Sequence, residues 1–192
     1  MLFRSRSFGS ADDGSRFCIF SATKPITATA LLAHLADGAV QLTAPVHEYV
    51  PEFAGNGLHD CTVLQLLTMQ GGFPQAGMSR RAWGTRAGRR QQFAEWRPEF
   101  RPGTRTEYHP ASAHWAIAEI IEAVGGRPYV DLVHERVVAP AGAAPLLGPA
   151  AVHDRHPCAV RSIGTYPTDR ADLVAVYGRD DLLPEEIGSA HV

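Results

Sequence analysis

The stretch that decides the reading is Phe17-Cys18-Ile19-Phe20-Ser21-Ala22-Thr23-Lys24-Pro25. An apolar run delivers a serine, and a lysine follows three residues later. A helical pattern begins at once, with Ile26, Leu31, Leu32 and Leu35 apolar and Gly38 as its stop. At helical spacing, positions i and i+3 lie on one face a turn apart, so the amine can sit beside the hydroxyl. The chain holds seventeen arginines and one lysine, and that lysine is Lys24. Guanidinium stays protonated in proteins, whereas a lysine amine can give up its proton and act as a base. Serine needs such a base, because its hydroxyl is a weak nucleophile until the proton is taken. A serine at a helix N-terminus also gains from the positive end of the dipole, and its backbone N–H can face a developing oxyanion.

Around this stretch the chain has the balance of an ordinary globular protein. Of its 192 residues 45% are hydrophobic and 20% charged, with a net charge of −2. That length suits one domain with a real core. The near-neutral charge argues against nucleic acid or a membrane surface as partner. Cys18, Cys61 and Cys158 are odd in number and far apart, so no disulfide or zinc pattern follows. They suit a reducing compartment, and with no apolar run after Arg4 and Arg6 to form a signal peptide, the expected location is cytoplasmic. The uncharged stretch Val137 to Val152 is broken by Pro140, Gly142, Pro145, Gly148 and Pro149, and reads as a loop rather than a membrane span.

Taken in order, residues 1–15 read as a loose leader and Arg16 to Phe20 as a short strand or extended segment. Ser21 to Asp37 is the first helix. Val40 to Phe53 reads as a turn and short helix. Thr62 to Gln70 is a helix opened by a capping box, Thr62-Val63-Leu64-Gln65, and ended by Gly71-Gly72. Ser79 to Trp96 carries Arg80, Arg81, Arg86, Arg89 and Arg90 with no acid before Glu95, and reads as a solvated helical face or loop. A sharper alternative makes it a cover over a site for a polar or anionic substrate. Pro110 suits the first position of a helix in which Ile117, Ile120, Ile121 and Val124 follow the i, i+3, i+4, i+7 template, closed by Gly125-Gly126. Another helix runs from Tyr129 to Val138, and a short one follows Pro167-Thr168-Asp169. His109 and His114 read as local structure rather than catalytic bases. His153-Asp154-Arg155-His156-Pro157-Cys158 has irregular ligand spacing and reads as a solvated turn, so no metal and no cofactor are expected.

With these residues in place, the chain resembles the serine β-lactamase-related superfamily, which includes class C β-lactamases, D-alanyl-D-alanine carboxypeptidases and β-lactamase-like esterases. "FCIFSATKPITATALLAHLADGAVQLTAPVHEYVPEF" at 17–53 is similar to its first motif region. "TVLQLLTMQGGFP" at 62–74 resembles the segment after the motif helix, and "RPGTRTEYHPASAHWAIAEIIEAVGGRPYVDLVHERVVAPAGA" at 101–143 resembles the second motif region. The resemblance implies Ser21 as the acylated nucleophile, Lys24 as its base partner and Tyr108 as the second-motif tyrosine assisting proton transfer. It implies an α+β, β-lactamase/transpeptidase-like fold.

Two departures shape the expected function. The second motif is commonly Tyr-x-Asn, and here the third position is Pro110, without a side-chain amide. That favours a carboxylesterase on small acyl esters over a β-lactamase or D-alanyl-D-alanine carboxypeptidase. The third motif, a Lys, His or Trp followed by a small residue and Gly, is not found after Tyr108. The strand carrying it supplies the second oxyanion donor, whose loss costs on the order of 10²–10³ in turnover. A catalytically inactive homologue that only binds a ligand or partner is therefore the third alternative. The expectation is one partial domain over 1–192, incomplete at both ends. It is the helix-rich portion of the fold with most of the antiparallel sheet missing, hence predominantly α. Helix faces left uncovered by the missing sheet would favour self-association.

Overall fold

The computed structural model describes residues 6–12 and 15–148. The chain divides into two compact units, one made of Met1–Phe20 with Leu147–Val192, the other of Ser21–Leu146. In the first unit the described residues form no regular run: position 16 is a single bridge residue and 17–19 are irregular, with Phe17 and Ile19 exposed. The cluster at His153 to Cys158 and the helix after Pro167 lie outside the described residues.

The second unit is helical. A 3-10 turn, Phe20–Ala22, runs straight into α1, Thr23–Ala36. Its buried face is Thr27, Ala30, Leu31 and His34, spaced i, i+3, i+4, i+7, while Leu32 points outward at 45% exposure. Leu32 therefore does not belong to the inward stripe expected from its hydrophobicity. The small Ala30 and Thr27 take that face instead and let α1 pack on α5, Ser112–Gly125. Two 3-10 turns, Val46–Glu48 and Pro51–Ala54, lie between the partners of an isolated antiparallel bridge, Pro45 and Thr62.

Helix α2, Val63–Leu67, opens as its sequence requires. Thr62 Oγ1 accepts from the Gln65 amide at 3.3 Å, and Gln65 Oε1 accepts from the Thr62 amide at 3.0 Å. Such a cap contributes about 1 kcal/mol. The helix ends earlier than the glycine pair suggests. Thr68 Oγ1 bonds back to the Leu64 carbonyl at 2.8 Å, and Met69 takes a left-handed φ of 58°. Gly72 is needed for a different reason. Its φ is +91°, and a Cβ there would meet the Phe100 carbonyl.

Helix α5 is buried on almost every side: Ala113, Ala116, Ile117, Ala118, Ile120 and Ile121 are all at most 3% exposed. A helix buried on nearly every side belongs at the centre, and its buried Glu119 must then find partners there. It starts at Ser112, after the N-cap Ala111, so Pro110 lies just outside it and not at its first position. Gly126, at φ 66°, is its left-handed C-cap. Helix α6, Tyr129–Val133, continues as a π-helical turn, His134–Val138. Beside α5 lies an aromatic cluster of Phe53, Phe73, Phe93 and Trp96, with ring centroids 4.8–6.1 Å apart.

The arginine-rich segment folds as α3, Arg80–Trp83, and α4, Arg86–Glu95. The solvated face expected for it is corrected in part. Arg89 is 5% exposed; its guanidinium donates to Glu122 at 2.8 Å and pairs with Glu119 at 3.5 Å. Arg86 donates to Glu119 at 2.6 Å and Arg90 to Glu52 at 2.8 Å. The acids missing from the local sequence come from α5 and from the turn at Glu52. The arginines tie α4 to the central helix.

Candidate active site

The 3-10 turn before α1 sets the site. Phe20 has φ 45°, a conformation that costs a non-glycine residue on the order of 1 kcal/mol, and it delivers Ser21 one turn ahead of Lys24. Lys24 Nζ donates to Ser21 Oγ at 3.0 Å. Tyr108, 87 residues further on, brings its hydroxyl to 2.7 Å from Ser21 Oγ. Lys24 Nζ also lies 5.1 Å from the centroid of the Tyr108 ring. All three residues named from the sequence thus meet at one oxygen. Ser21 and Lys24 are half-buried, while Tyr108 is 52% exposed, so the oxygen is open to a small molecule.

Electrostatics bear on the phenol. Partial burial raises the Tyr108 pKa; the hydrogen bonds from Ser21 and Lys24 and the lysine charge outweigh it, so the net shift is downward. The proton inventory is equally informative. Ser21 Oγ accepts from Lys24, which leaves its own single proton free to face the Tyr108 oxygen.

The Tyr108 segment is pinned to the stretch after α2. The Gly103 amide donates to the Gln70 carbonyl at 2.9 Å, Gln70 Nε2 to Thr106 Oγ1 at 3.0 Å, and the Glu107 amide to the Met69 carbonyl at 3.0 Å. Ser112, which begins α5, donates from Oγ to the Phe73 carbonyl at 2.8 Å. His109 is fully buried, with its ring edge-on to Phe73 at 5.2 Å. Its Nδ1 lies 2.7 Å from the Glu107 carbonyl, and its Nε2 accepts from the Phe73 amide at 3.2 Å. His114 has Nδ1 buried without a partner, and burial together with the Lys24 charge pushes its pKa down to about 4.

These histidines make the fold acid-sensitive. Burial lowers the pKa of His34, His109 and His114 below the ordinary 6.5. The unfolded chain therefore binds protons first as pH falls, and stability drops from about pH 6.5 downward. For His114 the gap between 6.5 and about 4 corresponds to on the order of 3 kcal/mol. Glu119, whose pKa burial raises, acts in the opposite sense, as one group against three. The urea midpoint is expected to be flat between about pH 7 and 8 and to fall steadily between pH 6.5 and 4.5. A midpoint constant to pH 5 would refute this.

Among the described residues, no group of three or more His, Cys, Asp or Glu side chains could hold a metal ion. None of their helices is long and apolar enough to cross a membrane.

A family model described as Beta-lactamase matches residues 3–178. The chain belongs to this family. Similar solved structures include a family VIII carboxylesterase, 30% identical over 64% of this chain and 34% of that one, with a TM-score of 0.58. EstA from Arthrobacter nitroguajacolicus Rue61a is 27% identical over 65% of this chain and 34% of its own, with a TM-score of 0.59. A D-stereospecific amidohydrolase from Streptomyces sp. is 28% identical over 70% of this chain and 45% of its own, with a TM-score of 0.55. The β-lactamase-family chain thus spans a third to under a half of the length of these structures. No curated protein matches it. Family membership makes the chain a relative of hydrolases and its fold β-lactamase-like, with a helix-rich described part.

Sequence reasoning finds the three meeting residues because serine, lysine and tyrosine lie on family motifs. It reads His109 only as local structure and gives no sign of its full burial. A histidine beside a motif tyrosine and eight residues upstream of the first isoleucine of an apolar helical stripe was the available signal.

Proposed function

We propose that the chain hydrolyses small acyl esters through a covalent acyl-enzyme on Ser21. The observation that carries the reading is the convergence of Lys24 Nζ at 3.0 Å and Tyr108 OH at 2.7 Å on Ser21 Oγ. Tyr108, as phenolate, takes the Ser21 proton while Oγ attacks the carbonyl carbon. The proton then passes from Tyr108 to the leaving alkoxide as the ester C–O bond breaks. In the second half, Tyr108 takes a proton from water, the hydroxide attacks the acyl-enzyme, and the proton returns to Ser21 as the acid leaves. Lys24 donates to Oγ and favours the phenolate. This division moves the base role from Lys24, where the resemblance puts it, to Tyr108, because Lys24 Nζ is already the donor to the serine oxygen. The Ser21 backbone N–H, at the start of the 14-residue α1, supplies one oxyanion donor.

Ester rather than amide chemistry is favoured by Pro110, which offers no side-chain amide to grip an amide substituent. The 28% identity to an amidohydrolase favours amide or lactam hydrolysis as the second reading. Incubation with a fluorophosphonate and with p-nitrophenyl acetate and butyrate, followed by mass spectrometry, tests both. The expected result is one adduct on Ser21, absent in Ser21→Ala, with ester turnover exceeding nitrocefin turnover. Nitrocefin turnover above ester turnover would select the second reading. A folded protein with neither adduct nor turnover would reject hydrolysis and leave a ligand-binding homologue.

A further inference from the structure

We infer that His109 is the positioning residue for Tyr108: as a neutral imidazole bridging the Glu107 carbonyl and the Phe73 amide, it holds the phenol on Ser21. This rests on the hydrolase reading for its consequence, but not for its geometry. The Phe73 N–H can only donate, so the Nε2 it meets at 3.2 Å must carry a lone pair. The Glu107 carbonyl can only accept, so the Nδ1 at 2.7 Å must carry the proton. One tautomer satisfies both; a protonated ring would keep the bond to the Glu107 carbonyl but set its Nε2–H against the Phe73 N–H.

The bridge has consequences for the residue between its ends. Tyr108 lies between Glu107, whose amide and carbonyl are both engaged, and His109, whose amide donates to Met69 Sδ at 3.5 Å and whose ring is locked in the aromatic cluster. An exposed tyrosine on a loop would ordinarily sample several positions. Here the backbone on both sides is tied to Met69–Phe73. No apolar residue can reproduce this, because Phe73 N–H and Glu107 C=O would lose their partners in the interior. Glutamine could reproduce it in part, having one donor and one acceptor on a flat group. The charged and titratable groups around the pair are Glu99, Glu107 and His114 toward His109, and Lys24 toward Tyr108.

Nitrogen-15 NMR of the histidine rings and carbon-13 NMR of the tyrosine Cζ atoms test the inference without requiring turnover. In the wild type, His109 is expected as the Nδ1–H tautomer, uncharged at pH 6, with Tyr108 titrating below the ordinary tyrosine range. In His109→Phe, the Tyr108 titration should rise toward about 10. With p-nitrophenyl butyrate, kcat should fall about 10- to 100-fold at a KM within twofold. His109→Gln should recover part of both, and it carries the comparison where His109→Phe does not fold. The loss should vanish in a Tyr108→Phe background. An Nε2–H tautomer in the wild type, or a folded variant whose Tyr108 titration is unmoved, overturns the inference. An intact tautomer and Tyr108 response in a chain that never labels at Ser21 would overturn the hydrolase reading alone.

Discussion

Tyr108→Phe is expected to slow acylation of Ser21 by about 10²- to 10⁴-fold, the range a positioned general base supplies, with KM nearly unchanged. In the proposed route the phenol oxygen 2.7 Å from Ser21 Oγ receives the serine proton, and phenylalanine removes it while keeping the ring. The pH profile separates this from a packing effect. On that route acylation needs the phenolate, so its rate should climb with pH through the lowered Tyr108 pKa and level off above it. In Tyr108→Phe that rise should be lost. Stopped-flow release of p-nitrophenol from p-nitrophenyl acetate reads the acylation rate directly. A loss under threefold with the pH limb retained would return the base role to Lys24.

The second large effect concerns stability. Arg89→Met is expected to cost about 3–5 kcal/mol, because it strips a partner from carboxylates that stay buried. Glu119 is fully buried and Glu122 nearly so, and Arg89 reaches both. For a protein of this size each kcal/mol lowers Tm by roughly 2–4 °C, so the melt should move down by about 6–20 °C. Arg86 still holds Glu119 at 2.6 Å, which keeps the effect from exceeding this range. Adding Glu122→Leu to Arg89→Met should recover part of the loss, since Glu122 is the carboxylate Arg89 holds at 2.8 Å and an apolar pair of similar volume can replace a buried ion pair. Arg81, exposed on α3, serves as the control, and its replacement by Met should leave the melt within about 0.5 kcal/mol of wild type. A thermal melt by circular dichroism decides the matter. Equal, small shifts for Arg81→Met and Arg89→Met would show that the interior pairing carries no stability.

The contrast between these arginines shows what a one-dimensional reading can carry. Helical features were legible wherever their causes are local. Thr62 and Gln65 are three apart and cap their own helix. The isoleucines of α5 repeat at helical spacing and stop at Gly126. Arg86, Arg89 and Arg90 looked solvated because their acids are 33–38 residues away. Hydrophobicity alone put Leu32 inward on α1, while Thr27 and Ala30 were smaller and fitted the neighbouring helix.

The site divides along the same line. The sequence by itself determined the family, through motif residues in order, and the Ser21–Lys24 pair, because three residues of helix bring them together whatever surrounds them. It named Tyr108 by resemblance but could not bring it there. Only the tertiary structure decided that a phenol 87 residues distant meets the serine oxygen, and that His109 bridges Glu107 and Phe73. Those contacts depend on how α5 and the stretch after α2 pack, and burial then decides which polar groups must find partners.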